Sequence, residues 1–163
     1  MNTVLRVANL LDILAVLQQQ DTPRGVEEMA QAQLLLGGMT PDQMAAMLFQ
    51  QSSFTYTMTT EAEPARALAV AGFVRQRPGV YRTWMFALDK AWTTHGPEMT
   101  EHTAKALRDM LENAHRLEAV CLNSRERVHR WYNRIGLQKE STLTRYCSDG
   151  TDAALFVLTR SDH

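Results

Sequence analysis

The chain has 163 residues, 45% of them hydrophobic and 21% charged, which excludes a disordered or fibrous chain and fits one globular domain over residues 1–163. Seventeen Lys and Arg against eighteen Asp and Glu leave a net charge of −1, so no overall field points to nucleic acid or an anionic membrane as a partner. The start, Met1 to Val7, lacks a basic segment followed by an apolar one, and the longest apolar run, Ala67 to Val74, is far below the roughly 20 residues that cross a bilayer. A soluble protein is expected. Cys121 and Cys147 make neither a disulfide framework nor a four-ligand zinc site, which fits synthesis in a reducing cytoplasm.

Thr3 to Val7 reads as a short strand, and Leu10, Leu11, Ile13, Leu14 and Leu17 recur at helical spacing over Leu10 to Gln20. Thr22-Pro23 and Thr40-Pro41 each set a capping threonine before a proline at the first helical position, where no N–H is needed. Two helices follow. The first stops at Gly37-Gly38; the second has Gln43 placed to close a capping box with Thr40 and buries Met44, Met47 and Leu48. At Ser53 the period changes to two, with Phe54, Tyr56 and Met58 alternating with Thr and Ser. Ala67 to Arg75, a turn at Pro78-Gly79 and Val80 to Leu88 complete an antiparallel meander. A connection from Asp89 to Pro97 leads into a helix carrying Ala104, Leu107, Leu111 and Ala114 on one face. Leu117 to Leu122 then forms a parallel pair with the strand before the helix, because a hairpin would not need so many residues. Asn123 or Ser124 caps a helix with Val128, Trp131, Tyr132 and Ile135 inward and Gly136 at its end. Leu137 to Cys147 and Ala153 to Thr159 flank Ser148-Asp149-Gly150-Thr151 as a terminal hairpin.

This β-α-α-α-β-β-β-α-β-α-β-β order, with the segment from Val128 to Leu137, resembles the GNAT superfamily of N-acetyltransferases. The resemblance implies an α/β fold with a mixed, mostly antiparallel sheet. A central parallel pair splays in it to hold acetyl-CoA. A second set of landmarks is similar to the internal virion protein A-like family of podophages. It comprises Trp84-Met85-Phe86, Ala91-Trp92, Gly96, the helix from Ala104 to His115, Asn123, Ile135-Gly136, Asp149-Gly150 and Phe156. That resemblance implies a noncatalytic virion or assembly protein without a cofactor, made in the host cytoplasm and carried in the particle among other phage structural proteins. The alternative is an acetyl-CoA-dependent N-acetyltransferase acting on a host or phage amine.

Active GNAT enzymes hold pyrophosphate on backbone N–H groups of a glycine-rich turn at the start of the central helix. Here Ala91 to Glu101 offers one glycine, a proline without a donor, and two glutamates that repel phosphate. This favours the noncatalytic reading. Tyr132, four residues before Gly136, stands where active relatives keep a tyrosine that protonates the departing thiolate; as structure alone it is a core aromatic beside Trp131. Asp89 or His95, at the end of the fourth strand, is the candidate base. His95, His102, His115 and His129 lack metal-binding spacing, and Cys121 in an apolar run is expected to be an inert buried thiol. Arg125, Arg127, His129, Arg130 and Arg134 make a basic helix face, expected to be solvated. The methionine-rich segment from Pro23 to Gln51 is the expected partner contact, with Gln31, Gln33, Met39 and Met44 near it, although Met44 also suits the core.

Overall fold

The computed structural model describes residues 2–161; Met1, Asp162 and His163, included in the span read from sequence, lie outside the described residues. The elements follow the expected order: β1 (Thr3–Val7), α1 (Leu10–Gln18), α2 (Pro23–Leu36), α3 (Pro41–Gln51), β2 (Ser52–Thr60), β3 (Ala69–Arg77), β4 (Val80–Ala87), α4 (Asp89–Met110), β5 (Arg116–Leu122), α5 (Glu126–Arg134), β6 (Gln138–Leu143) and β7 (Ala153–Thr159). They build a seven-stranded sheet in the order β1-β2-β3-β4-β5-β7-β6. Every neighbouring pair is antiparallel except β4 and β5.

The helix starts owe their positions to side chains that satisfy free backbone N–H groups. Thr22 accepts from the Gly25 N–H, and Thr40 and Gln43 close the expected capping box. A second box, Asn9 with Asp12, starts α1. Asp12 is also clamped by Arg6 of β1 at 2.7 Å, which ties the first strand to the first helix.

Most boundaries hold or shift by one or two residues, as for β3, expected over Ala67 to Arg75 and found at Ala69–Arg77, and three differ by more. The central helix begins at Asp89, directly after β4, and is bent at His95 (φ −124°, ψ 21°), so Pro97 starts its second segment instead of ending a loop. Helix α5 has Arg125 at its N-cap with no side-chain cap; Asn123 instead accepts from the Lys139 ammonium at 3.0 Å. The terminal hairpin is shorter on its first side: β6 stops at Leu143, and Arg145 at φ 54° starts a long connection.

Two apolar clusters fill the interior. One joins α1–α3 to β2–β4 through Ile13, Val16, Leu17, Met44, Leu48, Met58 and Phe86. The other lies under the second half of α4 and α5 and contains Leu107, Leu117, Cys121, Leu137 and Phe156. Between them, Gly72 lets the Trp84 indole lie flat across β3, since a Cβ there would come within 2.7 Å of the ring. The Trp84 Nε1–H then donates to the Ser52 hydroxyl at 2.9 Å.

Candidate functional site

The site starts from a parting of strands. β4 and β5 pair only over Val80 to Arg82 and Arg116 to Glu118. Beyond that point β4 stays with β3 and β5 with β7, so the two strands diverge and each turns an unpaired edge toward the gap. Backbone donors and acceptors on such edges need partners. One is supplied inside the chain, where the Leu122 N–H donates to Gln31 Oε1 of α2 at 3.1 Å.

The apex of the gap is locked electrostatically. Glu118, with only 8% of its side chain exposed, accepts from Arg82 at 3.1 Å and from Arg116 at 2.8 Å. Arg116 also grips Glu140 of β6 through both terminal nitrogens, which is strong bidentate geometry. Burial by itself would raise the Glu118 carboxyl, but hydrogen bonds from Arg116 and Arg82 and their charges outweigh it and hold the group below its ordinary value. A carboxylate whose folded pKa is depressed contributes stability above its unfolded value, and that contribution is lost as pH falls through the folded one. Chemical denaturation from pH 7 to pH 3 is therefore expected to show a shallower loss of stability in Glu118→Gln than in the parent. Identical slopes would remove Glu118 from the acid response.

The parted strands open into a cavity of about 500 Å³ walled by α2, the end of α3, β3, β4, β5, α5 and Trp92 of α4. Its charge is one-sided. Six arginines line it, Arg24, Arg82, Arg125, Arg127, Arg130 and Arg134, against one carboxylate, Glu28. Arg125 binds Glu28 at 3.0 Å and Arg127 binds Glu27 at 3.1 Å. Arg130 and Arg134 are exposed and unpaired among the described residues. Arg82 Nε is buried without a hydrogen-bond partner, and Arg24 Nη1 is buried with only the longer ion pair to Asp89 at 3.7 Å; a bound anion would relieve the cost at Arg82. The face of α5 expected to be solvated thus contributes to the cavity wall. The 127, 130, 134 spacing was its signal in the sequence; what the sequence lacked was the direction in which that stripe points.

Tyr132 lines the same cavity. Its ring stands edge-on to Phe156 at 5.2 Å and beside Trp131 at 6.2 Å, and burial pushes its phenol well above the ordinary tyrosine value. Like any tyrosine phenol, the group keeps its proton at neutral pH. Trp92, in the first turn of α4, meets Trp131 edge-to-face at 5.0 Å, and the Trp131 Nε1–H donates to the Thr100 hydroxyl at 3.1 Å. The start of α4 is thereby filled by indoles, with Asp89 in the first turn and no side-chain cap; no glycine cradle forms there.

Of the remaining candidates, Gln31 also lines the cavity and the others lie elsewhere. Asp89 sits 3.7 Å from Arg24 and His95 is buried at the α4 bend, 3.9 Å from Glu98; neither lines the cavity. His102 contacts the Thr3 hydroxyl, His115 lies beside Gly79, and His129 meets Phe156 edge-on. Among the described residues no group of three His, Cys, Asp or Glu side chains is placed to hold a metal ion. Both cysteines are buried and free, and burial pushes the Cys121 thiol up to about 12. Gln31 is buried and accepts from Leu122 and Arg125. Gln33 donates to the Met39 carbonyl, Met39 is packed against the first cluster, and Met44 is fully buried.

No family model matches the sequence, and no curated protein matches it. Solved structures do. A GNAT-family acetyltransferase from Bacillus anthracis aligns with TM-score 0.70 at 13% identity, covering 98% of this chain and 95% of its own. The Salmonella typhimurium protein yncA, solved with its cofactor acetyl-CoA, gives 0.71 at 11% identity over 99% and 95%. The chain has the GNAT fold. An aminoglycoside acetyltransferase in complex with coenzyme A and kanamycin also aligns, with TM-score 0.68 at 16% identity over 98% of this chain and 95% of that one.

These likenesses correct the expectation of a noncatalytic phage virion protein without a cofactor. The structures this GNAT-fold chain resembles are acetyltransferases, solved in two of these three cases with acetyl-CoA or coenzyme A. The podophage-like landmarks occupy positions that the fold itself uses: Trp84, Phe86 and Trp92 wall the cavity, Ile135 and Phe156 fill the core, and Gly136 ends α5 at φ 106°. Among the described residues, no helix is long and apolar enough to cross a membrane.

Proposed function

We propose that the protein is an acetyl-CoA-dependent N-acetyltransferase. The observation that carries this reading is the parting of β4 from β5 into an arginine-lined cavity that Tyr132 also lines. Acetyl-CoA supplies an acetyl group already activated as a thioester. The residues present fit its charge in an unusual way: phosphates would be held by the Arg127, Arg130 and Arg134 side chains and not by backbone N–H groups at the start of α4, where Asp89 and the Trp92–Trp131 pair stand. The unpaired edges of β4 and β5 offer backbone hydrogen bonds to an extended ligand between them.

Tyr132 holds its proton at neutral pH and would donate it from Oη to the departing sulfur. Phe156 and Trp131 fix the ring in place for that transfer. A positioned general acid contributes about 10² to 10⁴ in rate. Tyr132→Phe is therefore expected to lower turnover about 100-fold, measured as release of free coenzyme A thiol, with acetyl-CoA affinity within about twofold of the parent. Unchanged turnover would assign Tyr132 to the core alone.

A further inference from the structure

The two sides of the cavity differ in chemistry. Alternation along β4 puts Arg82, Trp84 and Phe86 on one sheet face, and Trp84 and Phe86 pack there against the α1–α3 cluster. On that side the half-buried Leu35, Leu36, Met47 and Trp84 present apolar surface to the cavity. The side formed by α5 carries the unpaired arginines. A ligand bearing several ammonium groups would find one carboxylate, Glu28, already bound by Arg125 at 3.0 Å, in a cavity lined by six arginines. Burying unmatched positive charge there is unfavourable.

We propose that the acetyl acceptor is a primary amine carried on an aromatic or branched aliphatic body, which seats against Leu35, Leu36, Met47 and Trp84. This rests on the acetyltransferase reading above. The amine enters in its neutral form, since the wall offers no free carboxylate to an ammonium. Its nitrogen forms the new bond to the acetyl carbon as the carbon–sulfur bond breaks, the sulfur takes the Tyr132 proton, and the proton released by the acylated nitrogen returns to Tyr132 through solvent. One amide and one free thiol result, with no further reactant. The same chemistry is presented by a small arylalkylamine and by a peptide N-terminus with a large apolar first residue.

The test sets phenethylamine, tryptamine, isoamylamine and a Leu-initiated tripeptide against spermidine, kanamycin and a Glu-initiated tripeptide. Thiol release gives kcat/KM, and calorimetry in the presence of coenzyme A gives acceptor affinity. The apolar amines or the Leu-initiated tripeptide should exceed the polycations by about 100-fold in both readouts, because a methylene in an apolar pocket is worth roughly 10-fold or more; which of the two responds identifies the source. Leu35→Glu should reduce that preference at least 10-fold, and Leu35→Gln serves if the glutamate variant does not fold. Acetyl-CoA binding with equal or better use of spermidine or kanamycin overturns this inference and spares the acetyltransferase reading. Failure to bind acetyl-CoA overturns both.

Discussion

Reversing the two unpaired arginines of α5 together, Arg130→Glu with Arg134→Glu, is expected to weaken acetyl-CoA binding by about 100-fold at low salt and to leave the melting temperature within about 2 °C of the parent. Both side chains are exposed, line the cavity and have no internal partner among the described residues, so their removal takes no contact from the fold. Surface substitutions of this kind usually change stability by no more than about 0.5 kcal/mol. A hydrogen bond to a charged group is worth about 1.5–3 kcal/mol; screening at an open cavity lowers this to about 1.4 kcal/mol per arginine, or tenfold each. Because side-chain charge and not backbone geometry does the holding, raising the salt to about 1 M should weaken the parent's binding too. Titration of the Trp92 and Trp131 fluorescence, which reports from the cavity wall, would measure both effects. Equal affinity in the parent and the double variant would show that phosphate recognition lies elsewhere.

Phe156→Ala is expected to cost about 3–5 kcal/mol, the range for truncating a buried aromatic. Phe156 is 1% exposed and meets both His129 and Tyr132 of α5 edge-on, at 5.1 and 5.2 Å. Its loss removes the surface on which α5 rests, and α5 itself has no fully buried residue. A native protein has only about 5–15 kcal/mol of stability, so the urea midpoint should fall steeply while the slope of the transition is kept. Turnover should fall with it even where the variant is folded, since Tyr132 loses the neighbour that orients it. A midpoint shift equivalent, at the parent's slope, to less than about 1 kcal/mol would mean that the site collapses around the missing ring.

The sheet was legible because its signals are local. Thr22-Pro23 and Thr40-Pro41 marked helix starts, the Phe54-Tyr56-Met58 alternation marked a strand, and the length between Leu88 and Leu117 required a crossover and hence the parallel pair. The site was harder to read because its defining feature is a separation between strands that Arg82 and Glu118 begin and no sequence period records. The shortage of glycines from Ala91 to Glu101, where Gly96 stands alone, was informative about the backbone there, and the α4 start is filled by Trp92 and Trp131. It pointed to a noncatalytic protein, a reading that the acetyltransferase likenesses correct, and side chains on another helix can carry the same charge complementarity. The Asn9–Asp12 box was missed for a related reason: Asp12 interrupts an apolar run and its partners, Arg6 and Asn9, lie on the strand before it and in the turn.

Isothermal titration calorimetry of the intact protein with acetyl-CoA, at low and at high salt, tests the account most directly. A single site of micromolar affinity at low salt, weakened at least tenfold at about 1 M salt, is the result expected of a cavity that holds phosphate with arginine side chains. No heat and no thermal stabilisation at millimolar acetyl-CoA would contradict it, because a ligand that binds the native state must raise its stability.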